Sequence, residues 1–223
     1  VIPRKVLVVG DGPLVDGIAA GLRQREHAVV VERADDSSRD AVGALVDGAE
    51  RALGGLDTVV WAQHAPAEPA NVVDQPLDTW VRTCEEPMTV AFHLTQAAHR
   101  PLAASGRGRL VYVVPTIGMA GAAQFAGAAA AAESVRSLTK GVAKQWGPDG
   151  ITVNVLAVSP EQVYPGSTGA SLAEQVSLAA PALGGPGDAA ADIAPVVSLL
   201  GDDDAHFVTG STLVADGGVW LTL

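Results

Sequence analysis

The sequence predicts an α/β fold: a doubly wound parallel sheet in three layers, with all 223 residues in one domain. Three observations carry that prediction. Short runs of Val, Leu and Ile recur along the chain, and each is followed by a stretch with helical apolar spacing. The first run ends in a glycine-containing turn, Gly10-Asp-Gly-Pro13, ahead of a helix. The stretch from Arg109 to Trp146 repeats the pattern at greater length. There the run Leu110–Val114 meets a breaker at Pro115, and a long segment of strong helix formers follows.

The elements follow in order. Lys5–Val9 reads as a buried strand, and Leu14–Arg25 as a helix with Leu14, Ile18 and Leu22 on its apolar face. Ala28–Val31 is a second strand, closed by Glu32-Arg33. Asp35–Ser38 caps a helix running to about Leu53, where Gly54-Gly55 stops it. Asp57–Trp61 is a third strand. Leu77–Cys84 and Met88–Ala104 read as two helices, with Pro87 as a first-turn proline. After the Arg109–Trp146 unit comes the strand Ile151–Ala157. Ser159–Asp188 reads as a loop with a short helix near Leu172, Ala189–Leu200 as a helix, and Thr209–Gly218 holds the last strand.

Composition narrows the function. A net charge of -11 argues against a nucleic-acid phosphate backbone as partner. A hydrophobic content of 48% with only 4% aromatics predicts a core of Ala, Val and Leu. The single cysteine, Cys84, excludes an internal disulfide framework and fits a reducing compartment. No apolar run reaches the length of a membrane span, and the amino terminus has no signal-peptide core. The expectation is a cytoplasmic protein without a membrane or nucleic-acid partner.

Gly10 and Gly12, with Gly17 in the next helix, have the form of a loop that brings backbone N–H groups to a pyrophosphate. Glu32, at the end of the second strand, is placed to accept a ribose hydroxyl. Against this, Pro13 lacks an N–H, and Asp11 and Asp16 repel a diphosphate. The expectation is therefore no cofactor, or NAD if any. His64, Thr116, Glu161 and Tyr164 are the candidates for other chemistry. Cys84, Glu85 and Glu86 form no nucleophile triad, and the histidines show no ligand spacing for a metal.

Ile151-Thr-Val-Asn154 and Thr209-Gly-x-x-Leu213-x-x-Asp216-Gly-Gly218 resemble the late signatures of short-chain dehydrogenases/reductases, particularly the bacterial ketoacyl-reductase type. Leu56-Asp57, Leu94–Ala98 and Ser137–Lys140 extend the resemblance over most of the chain. It implies a Rossmann-like sheet, with the usual third strand and its helix missing between Glu32 and Asp57. It also implies an Asn-Ser-Tyr-Lys catalytic group, whose positions here fall at Pro87, Pro115, Ala128 and Ala132. The family's Asn-Asn-Ala-Gly turn becomes Trp61-Ala-Gln-His64, and its Pro-Gly after the sixth strand becomes Val158-Ser159.

Losing one general acid/base removes ~10²–10⁴ in rate, and here all four positions are replaced. The resemblance thus implies no catalytic residues and no redox activity for the chain alone. It is similar to the inactive partner subunits of antibiotic-pathway dehydrogenases. The expected partner is a catalytically intact paralogue in a hetero-oligomer, with self-association possible. Non-redox chemistry in the same cleft (dehydration, cyclisation or isomerisation) and NAD(P) sensing remain the alternatives.

Overall fold

Lys5–Val9 forms strand β1, and its last four residues are at most 2% exposed. Apolar side chains point to both faces of such a strand, so each face needs a cover. Leu7 and Val9 enter one core, while Val6 and Val8 enter the other. The same division runs through the whole sheet. In this computed structural model, which describes residues 2–62, 68–164, 166–176 and 181–221, six parallel strands stand in the order β2-β1-β3-β4-β5-β6.

Helix α1 (Pro13–Gln24) leads from β1 to the edge strand β2 (Ala28–Glu32). Helix α2 (Arg39–Leu53) then returns the chain to β3 (Thr58–Ala62), on the other side of β1. Its ends are as expected: Ser38 Oγ accepts the Ala41 N–H at 3.3 Å, and Gly54 closes it in the left-handed conformation. With one helix between β2 and β3, the sheet stops at β2, which gives the shortened side anticipated between Glu32 and Asp57.

Two readings need correction. Helix α3 (Leu77–Trp80) does not end before α4 (Glu86–Ser105): a π-helical turn, Val81–Glu85, joins them. Pro87 lies in the first turn of α4, but because the helix runs on from the π turn its missing N–H removes a bond to the turn before it, and the π turn falls where that bond is lost. The segment after β5 holds the short helix expected near Leu172, α8 (Ser167–Val176), and in addition α7 (Pro160–Val163), which the loop reading did not contain. The many glycines there do not break these helices. Gly169 allows contact, because a Cβ on it would fall 1.8 Å from the Tyr164 carbonyl oxygen.

The central unit is β4 (Arg109–Pro115), the short α5 (Ile117–Ala120), α6 (Ala126–Trp146) and β5 (Thr152–Val158). Both strands are buried along their whole length. A π-helical turn, Ala189–Ile193, runs into α9 (Ala194–Gly201), and β6 (Thr212–Ala215) closes the sheet. Helices α2, α4 and α6 cover one face, with α1 and α9 on the other. Gly17 serves this second layer rather than a phosphate: a Cβ on it would stand 2.4 Å from the Cβ of Ala189.

Candidate functional site

The carboxyl ends of the strands open one long crevice, and the strand order reverses at β1 and β3, where α/β folds place their ligands. A cleft of about 440 Å³ lies over that point. Gly10 and Ala62 form its floor, Arg33 to Ser37 one wall, and Arg82, Glu86 and Pro87 of the helical run the other. Gly10 is required there. Its φ of 144° is unfavourable for other residues, and a Cβ would sit 2.8 Å from the Ala62 carbonyl oxygen. Its N–H donates to the Glu32 carbonyl at 2.9 Å, which ties the ends of β1 and β2 together.

The donor set fits a diphosphate poorly. Gly12, with φ 83°, precedes α1 and has open space around it, which suits a bound phosphate. Pro13 then removes one of the N–H groups of the first turn, and Asp16 sets a carboxylate there. Asp11 lies on the cleft and pairs with Arg33 at 3.2 Å, while Arg33 Nε also donates to Asp35 at 2.5 Å. Arg33 is thus engaged by carboxylates of the protein itself. Asp36 accepts the Ser38 N–H at 2.7 Å, and that bond holds its carboxyl below the usual range. Glu32 ends β2 in register with Val9, but the residues after it, rather than Glu32, line the cleft. Trp61 is 3% exposed and meets Tyr112 edge-on, with ring centroids 6.1 Å apart.

Two of the positions implied for catalysis, Ala128 and Ala132, lie on the buried side of α6, four residues apart, and Pro115 is the buried last residue of β4. Both alanines are closed off from solvent, at 2% and 0% exposed. Ala128 is packed in an apolar cluster with Ile117, Phe125, Tyr164, Leu172 and Val219. Ala132 is met by helix α5, since a Cβ on Gly118 would stand 2.9 Å from the Ala132 Cβ. Pro87 stays on the cleft wall.

Among the described residues, three hydroxyls at this end of the sheet are buried without a hydrogen-bond partner: Thr116 Oγ1, Ser159 Oγ and Tyr164 OH. Pro115 and Val158 are register partners, so Thr116 and Ser159 are the next residues of adjacent strands. Alternation along β4 and β5 directs both toward the α6 face. Tyr164 is 4% exposed, and burial alone pushes its phenol above the ordinary value. It is a neutral hydroxyl, not a base. Glu161 is half-buried on α7, and His64 lies outside the described residues. Cys84 is buried with Sγ 3.7 Å from Met88 Sδ, and burial raises its thiol, so it remains protonated and weakly nucleophilic. Among the described residues, no group of three or more His, Cys, Asp or Glu side chains could hold a metal ion.

Sequence reasoning missed Arg33, Ser159 and Gly118. Arg33 follows Glu32 directly, and its pairing depends on a fold that brings the ends of β1 and β2 together. Ser159 was read only as the replacement of a glycine, although the period-two pattern of Thr152–Val158 continues onto it. Two apolar surfaces also lie away from the crevice. A groove of about 420 Å³ runs between α4 and α6, past Met88, Phe92 and Leu138, with Phe92 47% exposed. Beside β6 and α9, Leu199 and Phe207 are exposed as well.

Comparison with known proteins agrees with this architecture. Residues 12–220 match the family model described as enoyl-(acyl carrier protein) reductase. The chain is 31% identical to the cis-4-hydroxycyclohexanecarboxylate dehydrogenase of Sinomonas cyclohexanicum, over 95% of this chain and 85% of that protein. It is 28% identical to the 3-oxoacyl-[acyl-carrier-protein] reductase of Haemophilus influenzae, over 93% and 84%. The TT0495 protein of Thermus thermophilus superimposes with a TM-score of 0.80 at 28% identity, covering 97% of this chain and 98% of that one. Among the described residues, no helix is long and apolar enough to cross a membrane.

Proposed function

The chain belongs to the short-chain dehydrogenase/reductase family, and on that footing we propose that it is a member without redox activity of its own, working as a structural subunit beside a catalytically complete paralogue. One observation carries this reading. The places the family resemblance gives to the catalytic tyrosine and lysine hold Ala128 and Ala132, and both are buried in packed surroundings rather than facing a vacancy. A general acid needs a proton and a route to substrate, and an alanine in a filled core supplies neither.

In the nicotinamide-dependent chemistry of the family, NAD(P) supplies the hydride acceptor or donor. Among the described residues, the groups that would help hold such a cofactor are Gly10, the open turn at Gly12 and the remaining N–H groups of the first turn of α1. The chain's carboxylates at Asp11 and Asp16 oppose the diphosphate charge. The apolar groove at Met88, Phe92 and Leu138 and the exposed Leu199 and Phe207 support an assembling role, because the cleft degenerates while apolar surface persists on two faces. An antibiotic or other secondary-metabolite pathway is the setting this reading favours.

Co-expression with intact family members of the source genome, followed by size-exclusion chromatography and a dehydrogenase assay, tests the proposal. The expected result is a mixed oligomer in which the paralogue gains solubility or activity. Turnover of a carbonyl or alcohol by the purified chain alone, at an ordinary enzymatic rate with NAD(P)(H), would refute it.

The unpartnered hydroxyls of Thr116, Ser159 and Tyr164 favour a second reading, in which the end of the sheet binds a neutral oxygen compound for non-redox chemistry. The apolar packing around Ala128 weighs against it. Calorimetric titration with the four nicotinamide dinucleotides separates both readings from NAD(P) sensing, which alone requires saturable binding.

A further inference from the structure

Strand β2 is an open edge of the sheet. None of its residues is buried, whereas every residue of β3, β4 and β5 is. The Ala28 N–H donates to the Arg4 carbonyl at 2.9 Å, and the Glu32 carbonyl accepts the Gly10 N–H at 2.9 Å. Backbone groups of alternate residues face the neighbouring strand, so Ala28, Val30 and Glu32 serve β1 while Val29 and Val31 face outward. Arg23 Nη2, from an exposed position, donates to the Val29 carbonyl at 3.2 Å. The Val29 N–H and both backbone groups of Val31 have no partner among the described residues. Sheets usually blunt such an edge with a charge, a proline or a bulge. Ala28–Val31 contains neither charge nor proline, and its register with β1 runs unbroken.

Only an extended strand matches groups in this arrangement, and their spacing suits a second β2. In an antiparallel pair, residues that exchange both backbone groups recur at every second position. With a two-fold axis at Val30, Val29 of one copy faces Val31 of the other, and the four bonds formed use every outward group of both valines. Arg23 is exposed and swings aside. The side chains agree with this register. Val29 and Val31 pack partly against the α1 side of the sheet and Val30 against the α2 side, so valine meets valine on both faces.

Charge sets the direction. Arg23, Arg25 and Glu26 precede the strand, while Glu32, Arg33, Asp35 and Asp36 follow it. Antiparallel pairing brings the positive flank of each copy against the acidic flank of the other, and within the strands Glu32 falls opposite Ala28. We propose that two copies of this chain join edge to edge through antiparallel β2 strands, making one continuous sheet. Strand β2 lies at the far end of the sheet from β6 and outside the α4–α6 groove, so this contact does not depend on a paralogue.

The purified whole chain tests it alone. Sedimentation velocity over a concentration series should show a monomer–dimer equilibrium. Val31→Pro removes one outward N–H from each copy, at an edge position that tolerates proline, and should weaken the dimer about 10- to 100-fold while the circular dichroism spectrum stays native. In a Cys84→Ala background, Val30→Cys sets two thiols across the axis, where facing Cα atoms lie about 4.5 Å apart, within reach of a disulfide. Mild oxidation should cross-link that variant and leave Val29→Cys, which faces Val31, largely unlinked. If Val31→Pro does not fold, the two cysteine variants still decide. A chain that is monomeric at every concentration would overturn the proposal. So would a dimer that Val30→Cys fails to cross-link, because the copies then meet through another face.

Discussion

Gly118 of α5 lies against Ala132 of α6 so closely that a Cβ on the glycine would come within 2.9 Å of the alanine methyl. A longer side chain at 132 therefore displaces α5 rather than extending into a cleft. Restoring the family residues with Ala128→Tyr and Ala132→Lys should yield no dehydrogenase activity. Overpacking should cost about 1–3 kcal/mol, and the desolvated ammonium adds to it. Urea unfolding together with an NAD(P)H assay checks both points. Appreciable turnover by the double variant would show that the site is vacant rather than repacked.

Tyr164 occupies the same repacked region, and its hydroxyl has no partner there. Leaving a buried hydroxyl unpaired costs about 1–3 kcal/mol, so Tyr164→Phe should be neutral or stabilising. Tyr164→Ala removes the ring from the cluster with Ala128 and Leu172 and should cost about 3–5 kcal/mol. The contrast between the two variants, read from denaturation midpoints, identifies the tyrosine as packing. A Tyr164→Phe variant destabilised by more than about 1 kcal/mol would instead mean that the hydroxyl is bonded.

Much of this architecture is legible in the sequence because it rests on local signals. The continuous apolar runs at Lys5–Val9 and Leu110–Val114 mark strands covered on both faces, and Ser38 and Gly54 mark the ends of α2. That alanines stand at 128 and 132, where the family resemblance places catalytic groups, is equally legible, since it depends only on residue type and spacing. What filled their places was not. Gly118 against Ala132, and Tyr164 beside Ala128, are contacts between separate elements, and the single turn of α7 is too short to show an apolar period, whereas the helix near Leu172 was legible. Similarly, the continuity of α3 into α4 through a π turn has no periodic signature, because one extra residue per turn only shifts the apolar face.

His27 sets a pH dependence at the opposite edge of the sheet. Burial, followed by the charge of Arg4, holds its pKa below the ordinary 6.5. The unfolded chain takes up a proton as pH falls through 6.5, while the folded chain does not until its own lower pKa is reached. Stability is therefore full above about 6.5 and declines below it. His27→Asn keeps an acceptor for the Arg4 N–H but does not titrate. Urea midpoints at pH 7.5, 6.5 and 5.5, values chosen to straddle the range of roughly 6.5 in which an ordinary histidine titrates, should fall for wild type and stay level for the variant. Parallel declines would assign the pH response to other groups.

Phe92 decides whether the groove between α4 and α6 is an interface. The ring is 47% exposed and borders Met88 on its own helix and Leu138 on α6. Buried aromatic anchors commonly contribute 2 kcal/mol or more to an interface, so a charge at this position should weaken assembly by roughly 30-fold or more. The folded chain has little to lose, because half of the ring already faces solvent. Phe92→Asp should thus keep the Tm of the isolated chain within a few degrees while abolishing the mixed oligomer on size-exclusion chromatography. Phe207→Asp, on the exposed side beside β6, tests the second surface independently. If Phe92→Asp leaves assembly intact and Phe207→Asp disrupts it, the partner docks along β6 and α9. If neither does, the apolar surfaces are not where the paralogue binds.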